Sequence, residues 1–359
     1  GGLEGVLKLE YDATFGADNG TDDKSSENTG LGADKKGIEV ANAYFKNKFD
    51  SISGLSLTAG IAPYDFPLVW GDNAPLVGAS YTIGENVFSV NYVKIQEGSN
   101  NKASDDSQAY IADAPFKFGN ISLRPGFFLT QSKKNVDPQV YGTKDGDTSV
   151  RLFALNTNVT AGNFGFDATG VYANGKDKTT DTKYSSYAFD LAPNFKVNDS
   201  IKLTGFFTMI SGDNKSDDKN NSFIDATIDG GNAGINIWRL YIIEDGGTFT
   251  TNSMTCEDPD GKPSKGKYDN IYGYTAAGLT LDATFGALTA KFQGAWVQAA
   301  KKPVGGKKDI GIEFDTNIGY GIAEGTTLYV EGAFLKAGKF YGDNKQNAYY
   351  LNVGTTYSL

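Results

Sequence analysis

Histidine is absent from the 359 residues, and cysteine occurs once, at Cys256. Without histidine the chain holds no Ser-His-Asp triad, no His-ligated zinc and no His-ligated haem. A single cysteine excludes an intrachain disulfide and a thiolate metal cluster, so Cys256 is expected to be a free thiol without function. No run approaches the ~18 apolar residues of a membrane-spanning helix. No Gly-rich turn stands beside an amphipathic helix, so phosphate-cradling motifs are missing as well. The stretch 212–221 (GDNKSDDKNN) lacks the spacing of a helix–loop–helix calcium site and reads as a solvated acidic loop. A net charge of −10 argues against nucleic acid as partner. The chain is therefore expected to be no enzyme, with no catalytic residue, no metal and no cofactor.

Apolar residues make up only 39% of the chain, while aromatic residues reach 13%, with 45 glycines, 20 tyrosines and 23 phenylalanines. That profile suits a sheet whose alternate residues meet lipid, with aromatic girdles at the two interfaces. The clearest carrier is the stretch 347–359, NAYYLNVGTTYSL. Tyr349, Leu351, Val353, Thr355, Tyr357 and Leu359 fall on one parity, and the other is mostly polar. A period of two is a strand, and an unpaired apolar edge is a liability. The expectation is that this strand pairs with 3–15, where Leu3, Leu7, Leu9, Tyr11 and Phe15 oppose Glu4, Lys8, Glu10 and Asp12. The opening GGLEG has no charged n-region or apolar h-region, so a signal peptide is expected to be either removed or never present.

The same alternation recurs along the chain and predicts sixteen strands. Tight turns fall near 50–54, 84–86, 119–120, 161–163, 198–200, 286–287 and 323–326. Between them lie longer polar connections, including 16–36, 63–76, 98–107, 132–147, 174–183, 212–270, 300–308 and 337–346. Strict alternation of short and long connections is what an up-and-down barrel gives, with short turns on one side of a membrane and long loops on the other. An even count puts both termini on the short-turn side. Strands of ~11 residues at ~3.3 Å each, tilted ~45°, match the ~25 Å apolar band. The predicted fold is all-β, one transmembrane antiparallel up-and-down β-barrel domain over 1–359. An extra hairpin, 222–228 with 233–243, gives an alternative of eighteen strands. A soluble all-β sandwich shares the strands but not the loop asymmetry.

These strands and the terminal stretch ending Val353, Tyr357, Leu359 resemble those of Gram-negative outer-membrane porins over essentially the whole chain. Members usually end in Phe, and this chain ends in Leu. The region 55–81, with its Pro-, Trp- and Gly-Asp-Asn-containing loop, resembles substrate-specific and alginate-export-type porins. The resemblance implies an outer-membrane location in a Gram-negative bacterium. It implies lipid contact, a C-terminal strand read by the barrel-assembly machinery, and a homotrimer. Small outward residues (Gly5, Ala13, Gly294, Gly332) suit a trimer. It also implies a water-filled channel for passive diffusion of small hydrophilic solutes or ions. The pore-lining acids are then Glu4, Glu10, Asp12, Asp113, Asp167, Asp190, Glu313, Asp315 and Glu331, and the bases Lys8, Lys117, Arg124, Arg151, Lys202 and Lys291. Their balance predicts a weak cation preference, unless these are only solvated faces without a shared constriction. Two connections are candidates to narrow the bore: 63–76, with Asp65, Trp70 and Asp72, and 212–270, whose apolar 235–243 segment carries Trp238 and Arg239. The alternatives are a non-conducting envelope barrel, or a sheath around a partner such as a secreted electron carrier.

Overall fold

Period-two alternation becomes strand along most of the chain. The computed structural model describes residues 2–11, 38–96, 107–132, 147–178, 181–213, 219–221, 223, 240–243, 272–303, 306–342 and 345–357. The strands are β1 (Gly2–Tyr11), β2 (Ile38–Lys48), β3 (Leu55–Phe66), β4 (Trp70–Ile83), β5 (Asn86–Gln96), β6 (Ser107–Asp113), β7 (Phe116–Phe118), β8 (Ile121–Ser132), β9 (Thr148–Ala161), β10 (Phe164–Asp177), β11 (Lys183–Asn198), β12 (Ile201–Ile210), β13 (Lys219–Asn220), β14 (Tyr274–Phe285), β15 (Leu288–Ala299), β16 (Asp309–Ala323), β17 (Thr326–Ala337) and β18 (Ala348–Tyr357). A 3-10 turn, Lys339–Tyr341, follows β17.

Apart from the short β7 and β13, each strand pairs antiparallel with the next, from β1 through to β18. Two elements separate the eighteen strands from the expected sixteen. β6 and β7 are halves of one wall strand, broken at Ala114–Pro115, and both pair with β8. β13 is a two-residue strand running parallel to β11. The alternative hairpin has no part in this count: 222 and 224–239 lie outside the described residues, and 240–243 form no strand. The tight turns are where the alternation placed them, and Gly119 (φ 56°) and Gly162 (φ 59°) adopt the left-handed conformation that favours glycine.

The expected ladder between the first and last strands is not found among the described residues. β1 and β18 are the two margins of the sheet. Leu3 (71% exposed), Tyr349 (83%) and Leu351 (71%) stand more open than outward residues of the middle strands such as Leu155 (49%). A period of two assigns faces, but the register that would join two distant strands is a tertiary property. Residues 12–15 of the expected first strand lie outside the described residues.

The sheet is nevertheless wound on itself, because one face buries a single core drawn from β3 through β17. That core lies on the inward face toward the long-loop end. Val93, Ala109, Phe128, Val150, Leu152, Ala173, Ala276 and Val297 are all inward and fully buried. The opposite face carries Val77, Phe153, Phe166, Phe314, Ile318, Tyr320, Val330 and Phe334 in the open. A continuous exposed apolar band of this kind calls for lipid rather than water.

The connection expected at 63–76 is a correction. It is a hairpin: β3 and β4 pair from Leu55↔Tyr81 out to Phe66↔Trp70. The reason lies in the prolines. The β2–β3 ladder ends at Ala43↔Ile61, and the β4–β5 ladder begins at Leu76↔Val93. Pro63 and Pro75 stand just beyond those limits, where each strand has only one neighbour. A residue without N–H is tolerated on such a margin and not in a central strand. The hairpin therefore leaves the wall, and its tip is carried into the interior.

Candidate functional site

The inward tip of the β3–β4 hairpin docks on β8. Phe66 is fully buried and meets Phe128 edge-on, ring centroids 5.4 Å apart. Gly126 makes room for it: a Cβ there would lie 2.6 Å from the Phe66 ring. An edge-to-face pair adds about 0.5–1.5 kcal/mol to the burial of the rings themselves. Val69 is also buried, and its N–H donates to the Phe66 carbonyl across the turn.

Beside the apolar contact lies a polar one. The Arg124 guanidinium on β8 donates through Nη1 to Asp65 Oδ2 and through Nη2 to the Asp65 carbonyl, each at 2.5 Å. Nη2 also donates to Asp113 Oδ2 on β6, at 3.1 Å. Tyr64 Oη donates to the same carboxylate oxygen at 3.2 Å. Asp113 is 8% exposed. Taking that carboxylate from water is costly unless it is paired, and the two donors supply the pairing.

A second inward segment docks across the interior. Leu240, Ile242 and Ile243 of the long connection are buried. Their backbone is held by Glu313 of β16, which accepts from the amides of Ile242 (2.6 Å) and Ile243 (3.1 Å) and is itself fully buried. Tyr241 lies 6.2 Å, ring to ring, from Tyr350 of β18. Tyr272 meets Phe340, at 6.3 Å, and completes the apolar filling.

Toward the short-turn end the inward face turns polar. Thr280 donates to Gln293 at 2.7 Å, and Gln293 to Asp315 at 3.0 Å. Asn317 and Asn352 both donate to Glu331, at 2.7 and 3.1 Å. Asn158 pairs with Asp167 there, while Thr208 donates to Asp190 at 2.7 Å nearer the loop end of β12. One register row runs Lys196, Lys202, Asp282, Lys291, Asn317, Glu331, Asn352 across six ladders or parts of them. Opposed charges in such a row stabilise the sheet by about 0.2–1 kcal/mol per pair.

The expected lining residues fall as follows. Glu4 faces Lys46 and Lys8 faces Asn42 across the β1–β2 ladder. Lys117 is at the short-turn rim, where its ammonium pairs with Glu85 at 3.4 Å. Arg151 is a correction. It shares its parity with the exposed Phe153 and Leu155, while Val150 and Leu152 are fully buried. The apolar residues of β9 near the loop end belong to the buried core, and that puts Arg151 outside. Trp70 and Asp72 belong to strand β4, and Glu10 lies opposite Glu39. Asp12, Trp238 and Arg239 lie outside the described residues. The sequence reading missed Tyr64, Lys46, Lys196 and Asp282. Tyr64 sits among prolines that read as loop, and the other three stand in strands where the apolar face carries the periodic signal.

No protein-family model and no curated protein matches the sequence. Solved structures do match in shape. The outer membrane protein OprD of Pseudomonas aeruginosa aligns with a TM-score of 0.53 at 14% identity, over 89% of this chain and 78% of that one. OccK2 (OpdF) of the same organism gives 0.53 at 13%, over 89% and 80%. OccK11 (OpdR) gives 0.52 at 12%, over 91% and 80%. The chain thus has the β-barrel fold of Gram-negative outer-membrane porins.

Proposed function

We propose that the chain is a channel in the outer membrane of a Gram-negative bacterium, passing small hydrophilic solutes by passive diffusion. One observation carries the reading. Two segments of the chain enter the interior, and each is held by polar side chains of the wall: the hairpin tip by Arg124, and 240–243 by Glu313. A barrel narrowed by its own loops selects by bore and by the charges at the narrowing. The inward face holds Asp113, Asp167, Asp190, Asp282, Asp315 and Glu331 against Arg124, Lys196, Lys202 and Lys291, which favours a weak preference for cations. The proposal includes a homotrimer, inserted through its C-terminal strand.

The purified protein in planar bilayers tests this. Discrete conductance steps, with a reversal potential of cation sign in a salt gradient, are expected. Anion selectivity removes the charge argument, and no conductance at all favours a purely structural barrel.

A further inference from the structure

On the outward face of β9, β10 and β11, near the long-loop end, the ladders align three rows. Phe153, Tyr172 and Tyr187 are directly opposed across the strands and are 45–49% exposed. Two residues nearer the loops stand Arg151, Asn174 and Ser185. Two residues further stand Ser149, Lys176 and Lys183, with Lys219 of β13 beside Lys183. Rows two residues apart along a strand are separated by about 7 Å. An aromatic girdle therefore gives way to a cationic rim within about 14 Å along the strands.

The rim encloses an open groove of about 870 Å³, whose lining includes Arg151, Lys176, Lys178, Lys183 and Lys219. Asp181 pairs with Lys176, and Asp147 pairs with Lys178 at 3.1 Å. Lys176 and Lys183 are directly opposite each other. Like charges in that position destabilise a sheet unless something negative lies against them, and one carboxylate, Asp181, faces the two lysines. Among the described residues, Arg151 and Lys183 take part in no ion pair.

We propose that this groove binds the phosphorylated headgroup of an outer-leaflet lipid, with its acyl chains lying along the Phe153–Tyr172–Tyr187 face. The aromatic row fixes the depth of the interface, and the cations above it stand where anionic headgroups are. A dissolved phosphate would need the cations but not the aromatic row leading to them. The inference rests on the outer-membrane placement proposed above, but not on conduction.

The test uses the full chain, folded in neutral detergent, with native mass spectrometry counting bound lipid. The probes are bis-phosphorylated lipid A, its dephosphorylated form and inorganic phosphate. Binding of the first and not the second is expected. Affinity should fall roughly fivefold for each cation removed, and roughly a hundredfold in R151Q/K176Q/K183Q. K117Q, at the short-turn rim, should bind as the parent does. Each variant is first shown to be folded by its faster migration when unheated; if the triple variant does not fold, K183Q alone is measured. Unchanged binding in the folded variant overturns the proposal. Displacement of the lipid by an equal concentration of inorganic phosphate overturns the lipid assignment. A conductance failure with intact lipid binding removes the channel reading and leaves this one standing.

Discussion

Removing the Glu313 carboxylate is expected to release the 240–243 segment from the interior. Docking of that segment is nearly balanced without it. Leu240, Ile242 and Ile243 are at most 3% exposed. Burying three such side chains contributes about 1.5–3 kcal/mol each, roughly 5–9 kcal/mol together. Fixing four residues costs about 1–2 kcal/mol each in backbone entropy, and about 0.5–1 kcal/mol more for each Leu or Ile side chain, roughly 6–11 kcal/mol in all. The two terms cancel to within a few kcal/mol, so the bonds from Ile242 and Ile243 decide the outcome. A hydrogen bond to a charged group is worth about 1.5–3 kcal/mol, and Glu313→Ala removes two. The expected loss is about 3–6 kcal/mol by the same scale. Glu313→Gln keeps one acceptor oxygen and is expected to lose about half as much. Amide hydrogen exchange of the detergent-folded protein reads the result directly. The Ile242 and Ile243 amides should be protected in the parent, partly protected in E313Q and open in E313A, with the strand amides of β14–β16 unchanged. Parent-like protection of these two amides in E313A refutes the reasoning.

Three further outcomes follow from the other contacts. Phe66→Ala should destabilise the docked hairpin by about 3–5 kcal/mol, and Gly126→Ala by about 1–3 kcal/mol through overcrowding of the same ring. Because the two residues share one contact, the double variant should fall short of the sum in thermal unfolding, and additivity would show that they do not touch. Arg124→Ala leaves the Asp113 carboxylate buried without its cation and should cost about 3–5 kcal/mol, whereas Arg124→Lys retains charge and recovers part of it. Single-channel records should show more frequent or larger openings in R124A than in R124K, if the hairpin narrows the bore. Burial, and then the Glu313 charge, push the Tyr341 phenol up to about 12. The unfolded chain loses that proton near pH 10 and the folded chain near 12, so this contribution is present below pH 10 and is lost as pH rises through that window. The fall in stability over that window should be smaller in Y341F; an identical profile would place Tyr341 in water.

Much of the wall was legible because lipid and lumen impose opposite demands on successive residues. β16 shows this most plainly: Ile312, Phe314, Ile318, Tyr320 and Ile322 are exposed outward, and Glu313 and Asp315 are buried inward, as their alternation required. The turns were legible for the same reason, since short ones carry glycine or Asn-Asp-Ser and leave no room for other readings. β9 marks the limit. Val150, Leu152, Arg151 and Phe153 form an alternation that either face could satisfy, and local pattern cannot tell an apolar residue against lipid from one against an inward-folded loop.

The order of strands, their outward faces and the side with long connections were thus determined by the sequence itself, because a period of two and the placement of turn residues are local properties. Only the tertiary structure decided which connections enter the interior. Pro63 and Pro75 read as loop, yet they end two ladders and free a paired hairpin to turn inward. Nothing in the spacing of Glu313 joins it to Ile242, 71 residues away, because that bond exists only once sixteen wall strands have brought the two together around a common core.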